Sequence, residues 1–394
     1  MTFDFMKIIL ILAAAQGFLL TVLIFQKYRR LFANRFLASI MFFYSIIIIQ
    51  LLLTDLEFDR KYPHLMLIPI GLPLLMGPLH YLYARSLIHS LTKIKKKEWL
   101  HALPFLIYEL SLIPDYFTPI QELAAAMQKI YIEGLPLKYI IFNWFILIQI
   151  MTYLILTILI IKRFSRAIKN VFSTIEKIKL DWLRNVTYMG IFVVTIFLIE
   201  NIFLLAGINL SHFFNLTSVL FAIFIYIMGY MGLLKSEIFA EPAIAKSISE
   251  LPELAYQNRI ATNGTHPKYE KSGLSPEKAK KYLSDLLQLM EQEKPYTDSE
   301  LTLSQLADIL SITPHNLSEI LNTQLNQNFF DFINQYRVEE AKKGLADPGK
   351  QHFTVLAIGF EAGFNSKTAF NTIFKKYTNM TPSEYRHNSV MNIK

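Results

Sequence analysis

The chain has 394 residues, of which 53% are hydrophobic and 18% are charged. Soluble domains carry about 25% charged residues, so this composition argues against a purely soluble enzyme and favours several membrane spans. Cysteine is absent, which excludes disulfides, cysteine-ligated metals and thiol catalysis. The net charge of +8 is uneven, because residues 1–240 hold 22 Lys+Arg and 13 Asp+Glu, whereas residues 241–394 hold 17 and 18. The excess positive charge therefore belongs to the apolar part, where it indicates membrane topology.

Seven apolar runs approach the roughly 20 residues that a helix needs to cross a bilayer. Helices are required there because lipid offers no hydrogen-bond partners to the backbone. The fourth run fits least well, since it contains Pro104, Glu109 and Pro114. The predicted spans are residues 8–26, 36–54, 64–84, 99–117, 139–161, 185–207 and 212–234.

The distribution of basic residues predicts the orientation of these spans. Only Lys7 precedes the first run, while Lys27, Arg29 and Arg30 follow it, which is typical of an uncleaved helix rather than a signal peptide. The loops 27–35, 85–98 and 162–184 hold 16 Lys+Arg, and the N-terminus with the other loops holds 5. Because basic loops stay cytoplasmic, the N-terminus is predicted outside and everything after Lys235 in the cytoplasm.

Five polar side chains fall in the outer half of the predicted spans. A carboxylate at the centre of a helix costs about 2.5–3.5 kcal/mol on insertion scales. One interpretation is therefore a signal pocket open to the outside, and the alternative is hydrogen bonding between helices that only stabilises the bundle. The residues are Gln50, Glu109, Asn143, Glu200 and Asn201.

The longest cytoplasmic loop contains a segment, residues 173–184, whose apolar positions suit one face of a short helix. We expect this segment to pack on the membrane surface. The alternative is that it passes motion to the cytoplasmic part.

The composition changes after the last span. Prolines and glycines in residues 236–274 predict a linker. A connecting helix is then predicted over 275–295, with Ser275 as N-cap and Pro276 in the first turn. The remaining residues, 296–394, are predicted to form one domain.

Two helix-turn-helix units are predicted within residues 301–386. In the first, Thr313 caps the second helix and Pro314 takes its first position. In the second, Gly363 permits a positive φ in the turn and Ser366 caps the following helix. Seven small or apolar positions recur at an offset of 52 residues: Leu303, Leu306, Ala307, Leu310, Ile312, Leu317 and Leu321 correspond to Val355, Ile358, Gly359, Ala362, Phe364, Ala369 and Ile373.

Two motifs make the C-terminal part recognisable. Residues 363–376 read GFNSKTAFNTIFKK, and residues 381–386 read TPSEYR. Over residues 296–388 this resembles the DNA-binding domain of AraC/XylS-type bacterial regulators. The apolar part looks more weakly like membrane-bound relatives, through GPLHYLY at 77–83 and HALPF at 101–105. Gly359 departs from the pattern, because the family usually has alanine there.

The resemblance implies that double-stranded DNA is the partner and that both units enter successive segments of the major groove. Recognition helices present polar side chains to base edges, and cations bind phosphates. The alternative for Ser366 is that it only caps the helix, and the alternative for each of the other candidates is that it lies on a solvated face. The candidate DNA contacts are His315, Asn316, Ser318, Glu319, Asn322, Ser366, Lys367, Thr368, Asn371, Lys375 and Lys376.

The fold predicted from the sequence is all-α, with a seven-helix transmembrane domain over residues 1–235 and a cytoplasmic double helix-turn-helix domain. The expected function is a transcription regulator in the inner membrane of a bacterial cell, with the lipid bilayer and an unknown ligand or membrane partner as further partners. Residues 301–349 have a net charge of −3 and residues 350–394 of +4. Because non-specific affinity comes mostly from neutralising phosphates, a single domain should bind DNA weakly. A homodimer would supply avidity.

The sequence argues against an enzyme and leaves one competing function. No enzyme, cofactor or metal is predicted, because HExxH, GxSxG and nucleotide loops are absent, and the last span has no lysine for retinal. The alternative is a transporter or solute-binding membrane protein with a regulatory cytoplasmic module.

Overall fold

A computed structural model of the chain describes residues 5–27, 31–56, 58–89, 93–94, 96–133, 136–176, 178–205, 211–235 and 274–391. Apart from one isolated antiparallel bridge between Phe172 and Thr302, the elements in these ranges are helices and turns, which confirms the all-α class. The chain forms two compact units, Met1–Arg163 with Leu180–Ala245, and Phe164–Lys179 with Lys246–Lys394. The predicted linker at 236–274 lies outside the described residues except for its last position.

The helices before the linker match some of the predicted spans. Four of them are long and apolar enough to cross a membrane within the described ranges, over Lys7–Gln26, Ala33–Thr54, Leu137–Asn170 and Asp181–Phe203. In chain order the helices are α1 Phe5–Lys27, α2 Ala33–Asp55, α3 Phe58–Lys61, α4 Pro63–Leu67, α5 Pro73–His89, α6 Leu103–Ser111, α7 Ile113–Tyr116, α8 Ile120–Glu133, α9 Leu137–Ala167, α10 Asp181–Leu205 and α11 Ser211–Lys235.

The count of seven spans is not confirmed. The third run is divided into α4 and α5 by turns around Pro69 and Gly71, because proline removes a helical hydrogen bond. The fourth run is divided into a 3₁₀ segment, Lys96–Ala102, and the short helices α6 and α7. In the seventh run, helix α11 has a described apolar part, Val219–Lys235, that is shorter than the four candidate spans.

The first unit packs through small residues. Helix α1 packs against α2 and α11, and α10 packs against α11. A side chain at Gly229 would lie 2.6 Å from atoms of Leu20 and Met41, so glycine is needed for these helices to approach.

The second unit contains the helices that follow the linker. They are α12 Pro276–Gln292, α13 Leu303–Ile309, α14 Pro314–Gln324, α15 Phe329–Ala346, α16 Val355–Glu361, α17 Lys367–Thr378 and α18 Pro382–Met391. The predicted caps are confirmed, since Ser275 accepts from Lys278 N at 3.3 Å and Thr313 accepts from Asn316 N at 3.2 Å. These caps satisfy amides that have no partner within the helix.

Candidate nucleic-acid interface

Two helix-turn-helix units, α13–α14 and α16–α17, share one backbone geometry. Helices α13 and α16 start 52 residues apart, and the threonine before each one, Thr302 or Thr354, caps it. In both turns an amide donates to the carbonyl five residues earlier, from Ile312 at 3.0 Å and from Phe364 at 3.1 Å. The recurrence predicted from the sequence therefore extends to the hydrogen bonds.

The two turns use different residues for the same left-handed conformation. Gly363 has a φ of +94° and the equivalent Ser311 a φ of +53°. Glycine is required at 363 for a second reason, because a side chain there would collide with the Tyr296 carbonyl oxygen and lie 3.0 Å from Arg337 Nε. Ser311 is exposed.

We predict that Gly363→Ser destabilises the C-terminal domain by about 2–4 kcal/mol, through about 1 kcal/mol of left-handed backbone strain and about 1–3 kcal/mol of overpacking. The matched control is Ser311→Gly, which relieves strain in the first turn and should change stability by less than about 1 kcal/mol. Amide hydrogen exchange of the full chain measures both. Equal exchange in the two variants would contradict the steric explanation.

Helix α15 connects the units and supplies their shared core. Its Phe329, Phe332 and Ile333 are buried in one cluster with Leu306 and Leu317 from the first unit. Helices α16, α17 and α18 pack against the same helix. The relative placement of the two units therefore depends on α15.

The departure from the family at Gly359 has a packing reason. A side chain at this buried position would lie 2.5 Å from the ring of Phe370. Glycine lets α16 approach α17, although it costs the helix about 1 kcal/mol in propensity relative to alanine.

The first recognition helix, α14, exposes fewer of the candidate residues than the sequence predicts. Ser318 is 2% exposed and Glu319 is 6% exposed, so the list of base-contacting candidates is corrected by removing both. Helix α12 packs against α14 and covers its Ile320. His315 and Asn316 are half-buried and Asn322 is exposed, which leaves these three as the candidates on this helix.

The second recognition helix, α17, has one apolar face and one polar face. Ala369, Phe370, Ile373 and Phe374 are buried. Ser366 accepts from Ala369 N at 3.1 Å, so its hydroxyl serves as the helix cap. The predicted contacts Lys367, Thr368, Asn371, Lys375 and Lys376 are all exposed, together with Thr372, which the sequence interpretation omitted.

The two lysines at the end of α17 are not equivalent. Lys376 Nζ lies 2.6 Å from Asp331 Oδ1, whereas no ion pair of Lys375 occurs among the described residues. Burial acts to raise the pKa of Asp331, but hydrogen bonds from Lys376 and Asn328 outweigh it and hold that pKa below its ordinary value. Lys375 is therefore better placed than Lys376 to bind a phosphate.

Arg386, which the sequence interpretation did not single out beyond the motif, ties helix α18 to the loop before α16. Its guanidinium donates to the carbonyl oxygen of Phe353 at 2.8 Å and to those of Lys350 and Gln351. The only sequence signal for this contact is the position of Arg386 at the end of the TPSEYR motif.

Three of the five polar residues in the predicted spans lie together in the first unit. Asn143 donates to Asn201 Oδ1 at 2.6 Å, and Gln50 donates to the Met66 carbonyl oxygen at 3.3 Å. All three amides line both a cavity of about 360 Å³ and a neighbouring one of about 770 Å³. The smaller cavity is otherwise mainly apolar, with His80 as a further polar residue.

The two carboxylates are placed elsewhere. Glu109 lies against Gly71, and its Oε1 is buried without a hydrogen-bond partner in the described ranges. Glu200 is 5% exposed. Neither residue is among those that line the two cavities, so their part in sensing stays a prediction.

Comparison with known proteins agrees with this geometry. Residues 306–388 match the sequence profile of a helix-turn-helix domain. An uncharacterized HTH-type transcriptional regulator of Staphylococcus aureus (strain COL) is 32% identical over 87 residues, which are 22% of this chain and 11% of that protein. The uncharacterized transcriptional regulatory protein YesN of Bacillus subtilis (strain 168) is 26% identical over 153 residues, or 38% of each chain.

The similarity is confined to part of each protein. The chain spans about a tenth of the length of the staphylococcal regulators that it matches. No solved structure matches the chain. The predicted resemblance is confirmed for the C-terminal part, where residues 306–388 match a helix-turn-helix domain.

Proposed function

We propose that this chain is a membrane-anchored transcription regulator that binds promoter DNA sequence-specifically and senses a signal through its membrane part. The main observation is that one chain joins four apolar helices to two helix-turn-helix units, the second of which has a recognition helix with an exposed polar face. The names of its relatives, which are transcriptional regulators, support the DNA-binding part of this proposal.

The charge distribution supports a cytoplasmic C-terminal domain, since the proposed inner loops hold 16 basic residues and the outer segments 5. We predict that a reporter enzyme that works only in the cytoplasm is active when it is fused after Lys235, and that one that works only in the periplasm is inactive there. A matched fusion in the 55–63 loop should be active only in the periplasmic form. Periplasmic activity after Lys235 would separate the domain from DNA and end the proposal.

The cavity at Gln50, Asn143 and Asn201 is the proposed site of sensing. Its apolar lining and neutral amides fit a ligand with an apolar body and an uncharged hydrogen-bonding group, because none of the described residues that line the smaller cavity is an aspartate, glutamate, lysine or arginine. The larger cavity, which Asp115 and Lys138 also line, offers a more polar approach.

The rival function is transport with a regulatory cytoplasmic module, since a transporter would also need a polar cavity within the membrane. Transport would be favoured if the full chain takes up solute and continues to do so in variants whose α17 side chains no longer contact DNA. We propose a homodimer as the DNA-binding form, because the first helix-turn-helix unit, within residues 301–349, carries a net negative charge and needs avidity.

A further inference from the structure

The loop between α9 and α10 belongs to the same compact unit as the DNA-binding helices. Residues 164–179 group with residues 246–394, although they include the end of α9 and come directly before α10, and both helices are candidate membrane spans. Val171 and Ser173 are 2% and 1% exposed. The expectation that residues 173–184 pack on the membrane surface is therefore wrong for Ser173 and Thr174, which bind the carbonyl oxygens of Leu301 and Ser299.

Backbone hydrogen bonds hold this docking segment, residues 164–179, beside the start of α13. Ser173 N donates to Leu301 O at 3.3 Å, and Leu303 N donates to Val171 O at 2.9 Å. These bonds flank the bridge between Phe172 and Thr302. Because Thr302 also caps α13, the segment is seated on the first residue of the first helix-turn-helix unit.

Side chains from helix α15 also bind the docking segment. Arg337, which is 1% exposed, makes five hydrogen bonds, and three of them end on Ser173 O, Ser173 Oγ and Thr174 Oγ1 at 3.0–3.2 Å. Asn334 donates to Ser173 O at 2.9 Å. Burial lowers the pKa of Arg337 to about 10, so the guanidinium remains charged near neutral pH.

The other two acceptors of Arg337, the carbonyl oxygens of Tyr296 and Asp298, lie where the two helix-turn-helix units meet. Its Nε donates to Tyr296 O at 2.8 Å, and this carbonyl closes over the turn of the second unit at Gly363. Asn365 in the same turn lies 3.4 Å from Glu300 Oε1. The docking segment, the start of the first unit and the turn of the second are thus connected through one buried cation.

We propose that the docking segment controls DNA affinity, because its seating on Arg337 and the 301–303 backbone fixes the spacing of the two helix-turn-helix units. This inference rests on the proposed function. Helix α10 begins at Asp181, two residues after the segment ends, so a shift of the cytoplasmic ends of α9 or α10 pulls directly on the seat.

Withdrawal of the segment removes three acceptors of the Arg337 guanidinium and opens it to water, so the hydrogen bonds that hold this side chain in position are lost. Arg337 must then move, and α15, which carries both units, moves with it. Two units at the wrong spacing bind DNA independently rather than together, so affinity falls.

A cysteine pair tests the inference in a chain that has no cysteine of its own. Phe172 and Thr302 form a non-hydrogen-bonded antiparallel pair, whose Cα atoms are typically about 4.5 Å apart, within the range of a disulfide. The full chain with Phe172→Cys and Thr302→Cys is placed in lipid nanodiscs, and its affinity is measured for DNA recovered from cells by crosslinking. Both redox states carry the same substitutions, so the reduced protein is the matched control.

Oxidation should raise the affinity for the recovered DNA at least tenfold and should protect the Leu303 amide from exchange. Phe172→Cys alone should not respond to oxidation. In a second comparison, Ser173→Pro should lower affinity at least tenfold and release the Leu303 amide, whereas Lys179→Ala in the same segment should do neither.

Unchanged DNA affinity in Ser173→Pro, despite faster exchange at Leu303, would show that the segment is only packing and would overturn the inference. Exchange at Leu303 that is unaffected by Ser173→Pro would overturn it too, because the seat would not exist. Failure of the unmodified chain to bind any DNA would instead reject the proposed function.

Discussion

Replacing Phe374 with alanine should strongly destabilise the second helix-turn-helix unit and weaken specific DNA binding. Phe374 is completely buried, with its ring 5.6 Å from that of Phe370 and 5.4 Å from that of Tyr385. Truncating a buried phenylalanine costs about 3–5 kcal/mol. Natural domains have only about 5–15 kcal/mol of stability, so the loss removes at least about a fifth of that margin and, in a marginal domain, all of it.

The matched control is Phe360→Ala, because Phe360 is 49% exposed on the neighbouring helix α16. Its effect should stay within about 0.5 kcal/mol. Hydrogen exchange of peptides from residues 355–391 in the full chain measures both variants. Similar exchange in the two variants would show that α17 is not packed as described.

Removing the polar residues at the start of α17 should cost sequence discrimination rather than general affinity. Lys367 and Asn371 are exposed on the face opposite Phe370 and Phe374. Each base contact is worth about 1–3 kcal/mol of discrimination. Lys367→Ala and Asn371→Ala should therefore each reduce the preference for cognate over scrambled DNA by about 5- to 150-fold.

Lys375→Ala is the contrasting variant, because Lys375 is exposed near the end of α17, where it is placed to bind phosphate. It should weaken binding to all DNA alike and reduce the salt slope by about one. Salt titrations of the full chain in nanodiscs on cognate and scrambled DNA separate the two effects. Equal losses on both DNAs for Lys367→Ala would assign that lysine to a phosphate instead.

Local features of the C-terminal domain could be predicted from the sequence because they depend on neighbouring residues. Caps such as Thr313 and Ser366 need only a side-chain acceptor three residues before an amide. Glycine is favoured wherever a turn needs the left-handed conformation, as Gly363 shows. The polar face of α17 follows from helical periodicity alone. The positions of its lysines and asparagine are therefore as expected.

Features that depend on distant contacts could not be predicted in this way. Ser318 and Glu319 have polar side chains that suit an exposed face, but the structure buries them. The docking segment is held by Arg337, 164 residues away from Ser173, and no periodic pattern predicts that contact. Similarly, hydropathy treats residues 99–117 as one apolar run, although the chain divides them among short helices.

The central claim is that the chain binds specific DNA while it remains in the membrane. The most direct measurement is hydroxyl-radical footprinting of the full chain in lipid nanodiscs on DNA recovered by crosslinking from intact cells. Two protected patches are expected on one face of the duplex, about 10 base pairs apart, because each helix-turn-helix unit enters one major-groove segment. Absence of protection, or equal protection of scrambled DNA, would contradict the account.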